Sequence, residues 1–409
     1  FYGMGMKVYD MLAGKYGFGK SRLLSRDEVI ERIPNLERDG LRGGVLYYDG
    51  QFDDARLLIN LAQSATERGA VLVNYAPVRD LAKNAEGFVG GVEFEDLESG
   101  RRHTAAARCV INAAGPFCDE VLRMDDPDAP AMIAPSQGIH LVLDRSFLAG
   151  ESAIMVPHTK DGRVMFAIPW HDHTLVGTTD TPIASVSLEP KPMEEEIDFV
   201  LETAAPYLQH DASRGDVLSV FTGIRPLVRA QEEGSTSQLS REHTITVSRS
   251  GLLTIAGGKW TTYRNMAEQC LDQAVLLAGL PERPCVTRSF HLHGFHSDAA
   301  RFGDLEVYGS DAPAIRRLMR SQSGLDERLH EALSIHAGQV VWAARYEMAR
   351  TVDDVLARRT RALQLDARAA RAMAPRVAEL LARELGRDET WQEEERARFD
   401  DLSRSYLLS

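Results

Sequence analysis

Cysteine is scarce in this chain: Cys109, Cys118, Cys270 and Cys285 are the four in 409 residues, far apart and without CxxC or zinc-finger spacing. That excludes a disulfide framework and implies buried thiols in a reducing compartment. No apolar run approaches the roughly 20 residues of a membrane-spanning helix, and no signal-peptide pattern opens the chain. Only a peripheral membrane contact stays open. Positive charge is in deficit, 47 Lys and Arg against 60 Asp and Glu for a net −13, which argues against a nucleic-acid partner and gives no general attraction to anionic lipid. Any anion must therefore be held locally. Also missing is the GxGxxG turn of dinucleotide-binding folds. Gly3-Met4-Gly5 is followed by Val8 where the third glycine belongs, and the chain opens at Phe1 as if within a longer protein.

What is present is ordinary globular sequence, 44% hydrophobic and 26% charged, long enough for two or three domains. SRDEVIERIPN reads as a short helix with Ser25 and Glu28 as a capping box and Pro34 as its stop. GGVLYYDGQFDDARLLINLAQSATERGAVLVN reads as a strand over 44–48, Asp53 as N-cap, a helix with Leu57, Leu58, Leu61 and Ala65 on one face, and a second strand after Gly69. Residues 89–95 and 103–107 form a meander hinged at Ser99-Gly100. Residues 109–112 form a buried strand ending in Ala113, Ala114, Gly115 and Pro116. From 133 to 181 the pattern is all strand (GIHLVLD, SAIMVP, RVMFAIPW, HTLVGTTD). A helical stretch over 193–208 and DVLSVFTGIRPLV follow. After about Pro284 the chain becomes amphipathic helix with Arg on the outer faces.

The most informative stretch is TIAGGKWTTYR, 254–264. A strand ends in Gly257 and Gly258 and meets Lys259, Thr261, Thr262 and Arg264 at the start of a helix. Glycines at such a turn allow close backbone approach, and the N–H groups of a helix start favour negative charge. An anion is the expected occupant. A second glycine-ended strand at Ala114-Gly115, with the strand-rich segment between the two, suggests a cap sheet laid over a cofactor.

Taken together, FDDARL, VINAAGP, GTTD, GIRPL, GGKWTTYR and EMARTVDDVLARRTR resemble the FAD-dependent, quinone-linked glycerol-3-phosphate dehydrogenases, in the family's order and over nearly the whole chain. The resemblance implies an α/β (α+β) fold: an FAD-binding domain of the glutathione-reductase or amino-acid-oxidase type lacking its first βαβ unit, an antiparallel substrate cap and a C-terminal helical domain. It divides the chain into 1–130 with 250–284, 131–249 and 285–409. It implies FAD as cofactor, oxidation of sn-glycerol 3-phosphate to dihydroxyacetone phosphate, and a quinone acceptor. A cytoplasmic protein, peripheral on the cytoplasmic membrane, fits it, and a homodimer is compatible with it. An oxidase passing electrons to oxygen, and a flavin-free binding module suggested by the missing GxGxxG, are the alternatives.

The site residues follow from matching motifs. Arg225 in GIRPL is expected to clamp the phosphate, because a guanidinium fork meets phosphate oxygens with two charge-assisted bonds. Arg241 in SREHTITV matches a second family arginine. Lys259 is expected beside flavin and substrate, where an ammonium stabilises a developing alkoxide. His140 in SQGIHLVL is the expected base. The resemblance implies FAD contacts from Val78 to the adenine, from Ala114 and Gly115 to the pyrophosphate and ribose, and from Gly257, Gly258, Thr261 and Thr262 to the flavin's pyrimidine edge. Arg264 reads as a helix-surface residue, Asp180 as either a turn former or an orienting group, and His171 and His173 as turn residues. His291, His293 and His296 read as linker residues rather than zinc ligands.

Overall fold

The structure is a computed structural model and describes residues 17–156, 159, 162–229 and 243–408. It opens with β1 (Arg22–Ser25), α1 (Arg26–Arg32) and β2 (Gly43–Leu46). Ser25 closes the expected capping box: its backbone N–H donates to Glu28 Oε2 at 2.8 Å and its Oγ accepts from Glu28 N at 3.3 Å. β2 pairs antiparallel with β1, Arg22 opposite Leu46. Helix α2 (Asp54–Glu67) is capped by the Asp53 carboxylate, which accepts from Arg56 N at 2.9 Å.

The expected strand-helix-strand unit does not form. β2 turns back on β1, and residues 71–73 are irregular, with Val71 88% and Val73 62% exposed. A strand exists only by pairing, and no described strand offers this segment an edge.

A meander follows: β3 (Val78–Lys83), β4 (Val89–Asp96) and β5 (Arg101–Ala106), turning at Ser99-Gly100 as the sequence indicates. β6 (Ile111–Asn112) leads through a 3-10 turn at Gly115–Phe117 into α3 (Cys118–Asp125). The next unit is an antiparallel sheet built on the 12-residue β7 (Ile133–Asp144). Beside it lie β8 (Ile154–Val156), β9 (Met165–Trp170), β10 (His173–Gly177) and β11 (Thr181–Pro182), in the order β11-β7-β10-β9-β8. α4 (Glu194–Ala204) is shorter than the expected 193–208, because Ala205–Tyr207 tighten into a 3-10 turn around Pro206. β12 (Val217–Val228) then pairs with β7 over its length.

Strand alternation decides the two faces of this sheet. Ile139, Leu141, Leu143, Met165, Ala167, Val176 and Val220 pack with Ile197, Val200 and Ala204 of α4 in one core cluster. The alternate residues point the other way.

β13 (His243–Val247) and β14 (Leu253–Gly257) form a three-stranded sheet with β6, in which β14 and β6 make the sole parallel pairing among the described residues. α5 (Tyr263–Leu277) follows the GGK turn. The rest is mostly helical: a distorted turn at Ala299–Asp311, α6 (Ala312–Ser321), the hairpin β15 (Arg328–His330) and β16 (Leu333–His336), and α7 (Ala337–Tyr346). A π-helical turn (Asp354–Arg359), α8 (Ala362–Leu365), α9 (Ala367–Leu385) and α10 (Glu389–Arg404) complete it. Val340, Val355, Leu363, Ala370, Met373, Leu381 and Phe399 lie in its core.

Polar contacts fasten this helical part to α2 and the segment after it. Arg361 Nη2 meets Asp53 Oδ1 at 2.8 Å, Arg56 Nη1 meets Glu347 Oε1 at 2.5 Å, and Tyr75 Oη donates to Asp354 Oδ2 at 2.8 Å. No described helix is long and apolar enough to cross a membrane.

Candidate active site

Residues that alternate away from the α4 core form the floor of a cleft of about 1740 Å³. One row crosses five strands: Met155 opposite Phe166, Phe166 opposite Gly177, Gly177 opposite His140, and His140 opposite Phe221. Cross-strand partners share a face, so His140 is the titratable group of an otherwise apolar row. Its ring stacks on Phe221 at 5.4 Å and 18°. Gly177 is what lets it lie there, since a Cβ on that residue would stand 2.4 Å from His140 Cδ2. Burial first, and the Arg225 charge second, push the His140 imidazole down to about 4. This departs from the unshifted histidine that the sequence alone suggests: the ring is neutral at ordinary pH and a weaker base than a free imidazole.

Arg225 lies on the same face. Two residues back along β7 and two forward along β12 the row is Gly138 opposite Gly223, and two further on Ser136 opposite Arg225. The guanidinium folds over Gly138, where a Cβ would sit 2.5 Å from both terminal nitrogens. Arg225 Nη2 donates to Thr178 Oγ1 at 3.1 Å, and Nη1 pairs with Asp180 Oδ1 at 3.5 Å. Asp180 also accepts from the Ser136 hydroxyl, so it orients the arginine as well as shaping a turn. Behind the turn, the buried Glu196 carboxylate accepts from Gln137 Nε2 at 2.7 Å, Thr179 Oγ1 at 2.9 Å and Thr181 Oγ1 at 2.6 Å. Ser136 and Gln137 of β7, and Thr179 and Thr181 of the turn beside Arg225, are therefore each held by a hydrogen bond to a carboxylate.

The parallel pairing of β6 and β14 brings the AAGP and GGK turns out of the same end of one sheet, the edge at which open α/β folds bind ligands. Gly115, Gly257 and Gly258 hold φ of 57°, 75° and 83°, a region that side chains disfavour. Ala114, Cys118, Ile133, Val228 and Ala256 pack together and join both turns to the start of β7 and the end of β12. Lys259 and Thr261 are exposed, while Thr262 Oγ1 donates to Lys259 O at 3.0 Å. The turn meets the cleft through Trp260, whose ring lies 6.3 Å from Phe52 of the cleft lining.

Other expectations sort as follows. Val78 begins β3 opposite Phe94, away from the cleft lining. Arg264 pairs with Glu268 at 2.7 Å, on the helix surface. Arg241 lies outside the described residues. His293 bridges Glu67 at 2.6 Å and Asp311 at 2.8 Å, tying the linker to α2. Cys118 and Cys270 are buried, but Cys285 is exposed beside Arg264, contrary to the expectation that all four thiols are buried. Sequence reasoning missed Gly138 and Gly177 as spacers and Arg361 as a cleft residue bound to the helix cap Asp53. The signal for the glycines was present, since an isolated Gly inside a strand marks a close approach.

Residues 5–264 match the family model of FAD dependent oxidoreductases, and residues 249–395 that of the C-terminal domain of alpha-glycerophosphate oxidase. The chain is 37% identical to the mitochondrial glycerol-3-phosphate dehydrogenase of Bos taurus, over 97% of its own length and 58% of that protein's. It is equally identical to the mitochondrial enzyme of Arabidopsis thaliana, of which it covers 68%. It thus spans little more than half the length of its animal relatives. In structure it is similar to the glycerol-3-phosphate dehydrogenase from Bacillus halodurans complexed with FAD, with a TM-score of 0.80, 29% identity, and coverage of 94% of this chain and 79% of that one. With two family models running from residue 5 to residue 395 and 37% identity over 97% of its length, this protein belongs to the FAD-dependent oxidoreductase family, among the glycerol-3-phosphate dehydrogenases.

Proposed function

We propose that this chain carries the substrate-oxidising site of a glycerol-3-phosphate dehydrogenase, which converts sn-glycerol 3-phosphate to dihydroxyacetone phosphate. One observation carries the reading: a neutral imidazole and a guanidinium share one sheet face, the guanidinium lying over Gly138 and the space over Gly223 beside it left open. That is the spacing of a base and an anion clamp acting on one short molecule.

FAD supplies the hydride acceptor when bound. Gly115 fits close approach by the cofactor, because its positive φ disfavours a side chain and, its chain neighbours apart, no described atom lies within 4 Å of where its Cβ would be, whereas at Gly258 the Met266 side chain already takes that space. Gly257, Gly258, Lys259, Thr261 and Thr262 would hold the ring end, Ala114 and Gly115 the pyrophosphate and ribose, and Val78 the adenine. Arg225 takes the phosphate, exchanging its contacts with Thr178 and Asp180 for phosphate oxygens. His140 accepts the C2 hydroxyl proton on a ring nitrogen, and the Lys259 ammonium stabilises the oxygen left behind. Arg241 adds charge to the clamp. Residues 1–130 with 250–284 form the cofactor part, 131–249 the cap and 285–409 the helical part. A quinone is the electron acceptor, and the cytoplasmic protein attaches peripherally to the membrane as a homodimer.

The test is the visible spectrum of the FAD-loaded protein before and after anaerobic glycerol 3-phosphate. Bleaching is expected, and a bound flavin that ignores the substrate rejects the reading. Reoxidation by a quinone analogue faster than by oxygen is expected as well.

Arg225→Ala should raise KM roughly 10- to 150-fold, the loss of a charge-assisted hydrogen bond worth about 1.5–3 kcal/mol. Arg225→Lys should recover only part, because an ammonium keeps the charge and loses the fork. An unchanged KM in both variants would place the phosphate elsewhere.

A further inference from the structure

We propose that Gly223 sets the size of the substrate this site accepts, an inference that rests on the reading of Arg225 as the phosphate clamp. Three glycines lie on the face of the cap sheet that carries His140, Gly177 in the cleft lining and Gly138 and Gly223 beyond it, and they do different work. A Cβ on Gly138 would meet the Arg225 guanidinium, and a Cβ on Gly177 would meet the His140 ring. Those two make room for the protein's own side chains. Gly223 does not: it is exposed, and no described atom lies within 4 Å of where its Cβ would be. Nor does its backbone require glycine, since it is absent from the positive-φ positions and sits in regular register opposite Gly138.

A glycine inside a strand weakens it and leaves nothing to pack. With no conformational and no packing reason on the protein side, close approach by a bound molecule is the reason that remains. The place suits this. Same-face neighbours on a strand are about 7 Å apart, so the space over Gly223 has Phe221 and the His140 row on one side and Arg225 on the other. It is one side chain wide. A short, unbranched phosphomonoester with a free hydroxyl one or two carbons from the phosphate-bearing carbon spans it. A phosphomonoester carrying a substituent on that hydroxyl, or a ring, would exceed the one-position gap between Phe221 and Arg225. Specificity here is steric exclusion by a backbone floor and needs no hydrogen bond.

Gly223→Ala and Gly223→Val, made in the FAD-loaded protein, test this. Both should fold with unfolding midpoints no lower than wild type, because a strand favours either replacement. KM for glycerol 3-phosphate should rise at least about fivefold with alanine and further with valine, as for an overpacked site. Inhibition by inorganic phosphate, which needs only the clamp, should stay within about twofold of wild type. Protection against thermal unfolding by glycerol 3-phosphate should weaken in the same order, a readout independent of flavin reduction. KM values within about twofold of wild type in both variants overturn the proposal while leaving the dehydrogenase reading in place. So does a parallel loss of phosphate inhibition, which would mean that Arg225 had been displaced. If wild type is not reduced by glycerol 3-phosphate, the functional reading fails, and protection still decides Gly223: equal protection of wild type and Gly223→Val overturns it.

Discussion

Replacing His140 by alanine should slow substrate-driven flavin reduction by about two to four orders of magnitude, the range over which a positioned general base acts. The ring is held flat against Phe221 and given its place by Gly177, so the structure aims it as well as containing it. Because alanine also removes a packed ring, His140→Asn should be compared with it. Asparagine fills part of the space and cannot take the proton, so both variants should lose reduction while only alanine loses measurable stability.

The pH dependence separates this role from packing. With the imidazole near 4, its basic form is the one present above about pH 5, and protonation removes activity only below that. The acid limb of kcat/KM is therefore expected well below the histidine value of about 6.5. Once a phosphate dianion sits on Arg225, the second cause of the depression is cancelled, and the limb in kcat should move upward. Stopped-flow reduction across pH 4–9 reads both limbs. Coincident limbs near 6.5, or reduction by His140→Asn at near wild-type rate, would remove His140 from the proton transfer.

Glu347→Ala should destabilise the fold by about 3–5 kcal/mol, measured as a shift in the urea midpoint, because it strands a buried guanidinium. Arg56 is 7% and Glu347 0% exposed at the side chain. The guanidinium also donates to Arg359 O at 2.9 Å and lies 4.3 Å over the Tyr308 ring. Burial raises the Tyr308 hydroxyl to about 12, so it stays neutral and offers no compensating anion. Arg56→Met with Glu347→Leu should restore most of the loss, since an apolar pair of similar volume removes both desolvation costs. A loss below about 1 kcal/mol in Glu347→Ala would mean that the pair is solvated in solution.

The elements legible in the sequence were those whose cause is local. Ser25 with Glu28, Asp53 ahead of its helix, the Ser99-Gly100 turn and the alternating cap strands each carry their determinant within a few residues. Motif resemblance singled out both His140 and Arg225, which are 85 positions apart and share one sheet face. Illegible were features that depend on a remote partner. Residues 71–73 have the apolar character of a strand and no described edge to join. Gly138 and Gly177 look like interchangeable strand glycines until the Arg225 guanidinium and the His140 ring are seen above them. Asp53 reads as a helix cap, and nothing nearby in sequence announces its second partner, Arg361, or the His171 contact at 3.4 Å.

The β7–β12 ladder has a consequence for the order in which the protein acquires its shape. Its partners are 74 residues apart at Val217 with Leu143 and 95 apart at Val228 with Ile133. Closing so long a loop must precede any return from its contacts, which makes such pairings slow compared with helices and hairpins. His140 on one strand and Arg225 on the other meet only when that closure is complete. Helical content should therefore recover in refolding well before the ability to bind a phosphorylated ligand, and a chain halted between the two would be compact, largely helical and inert.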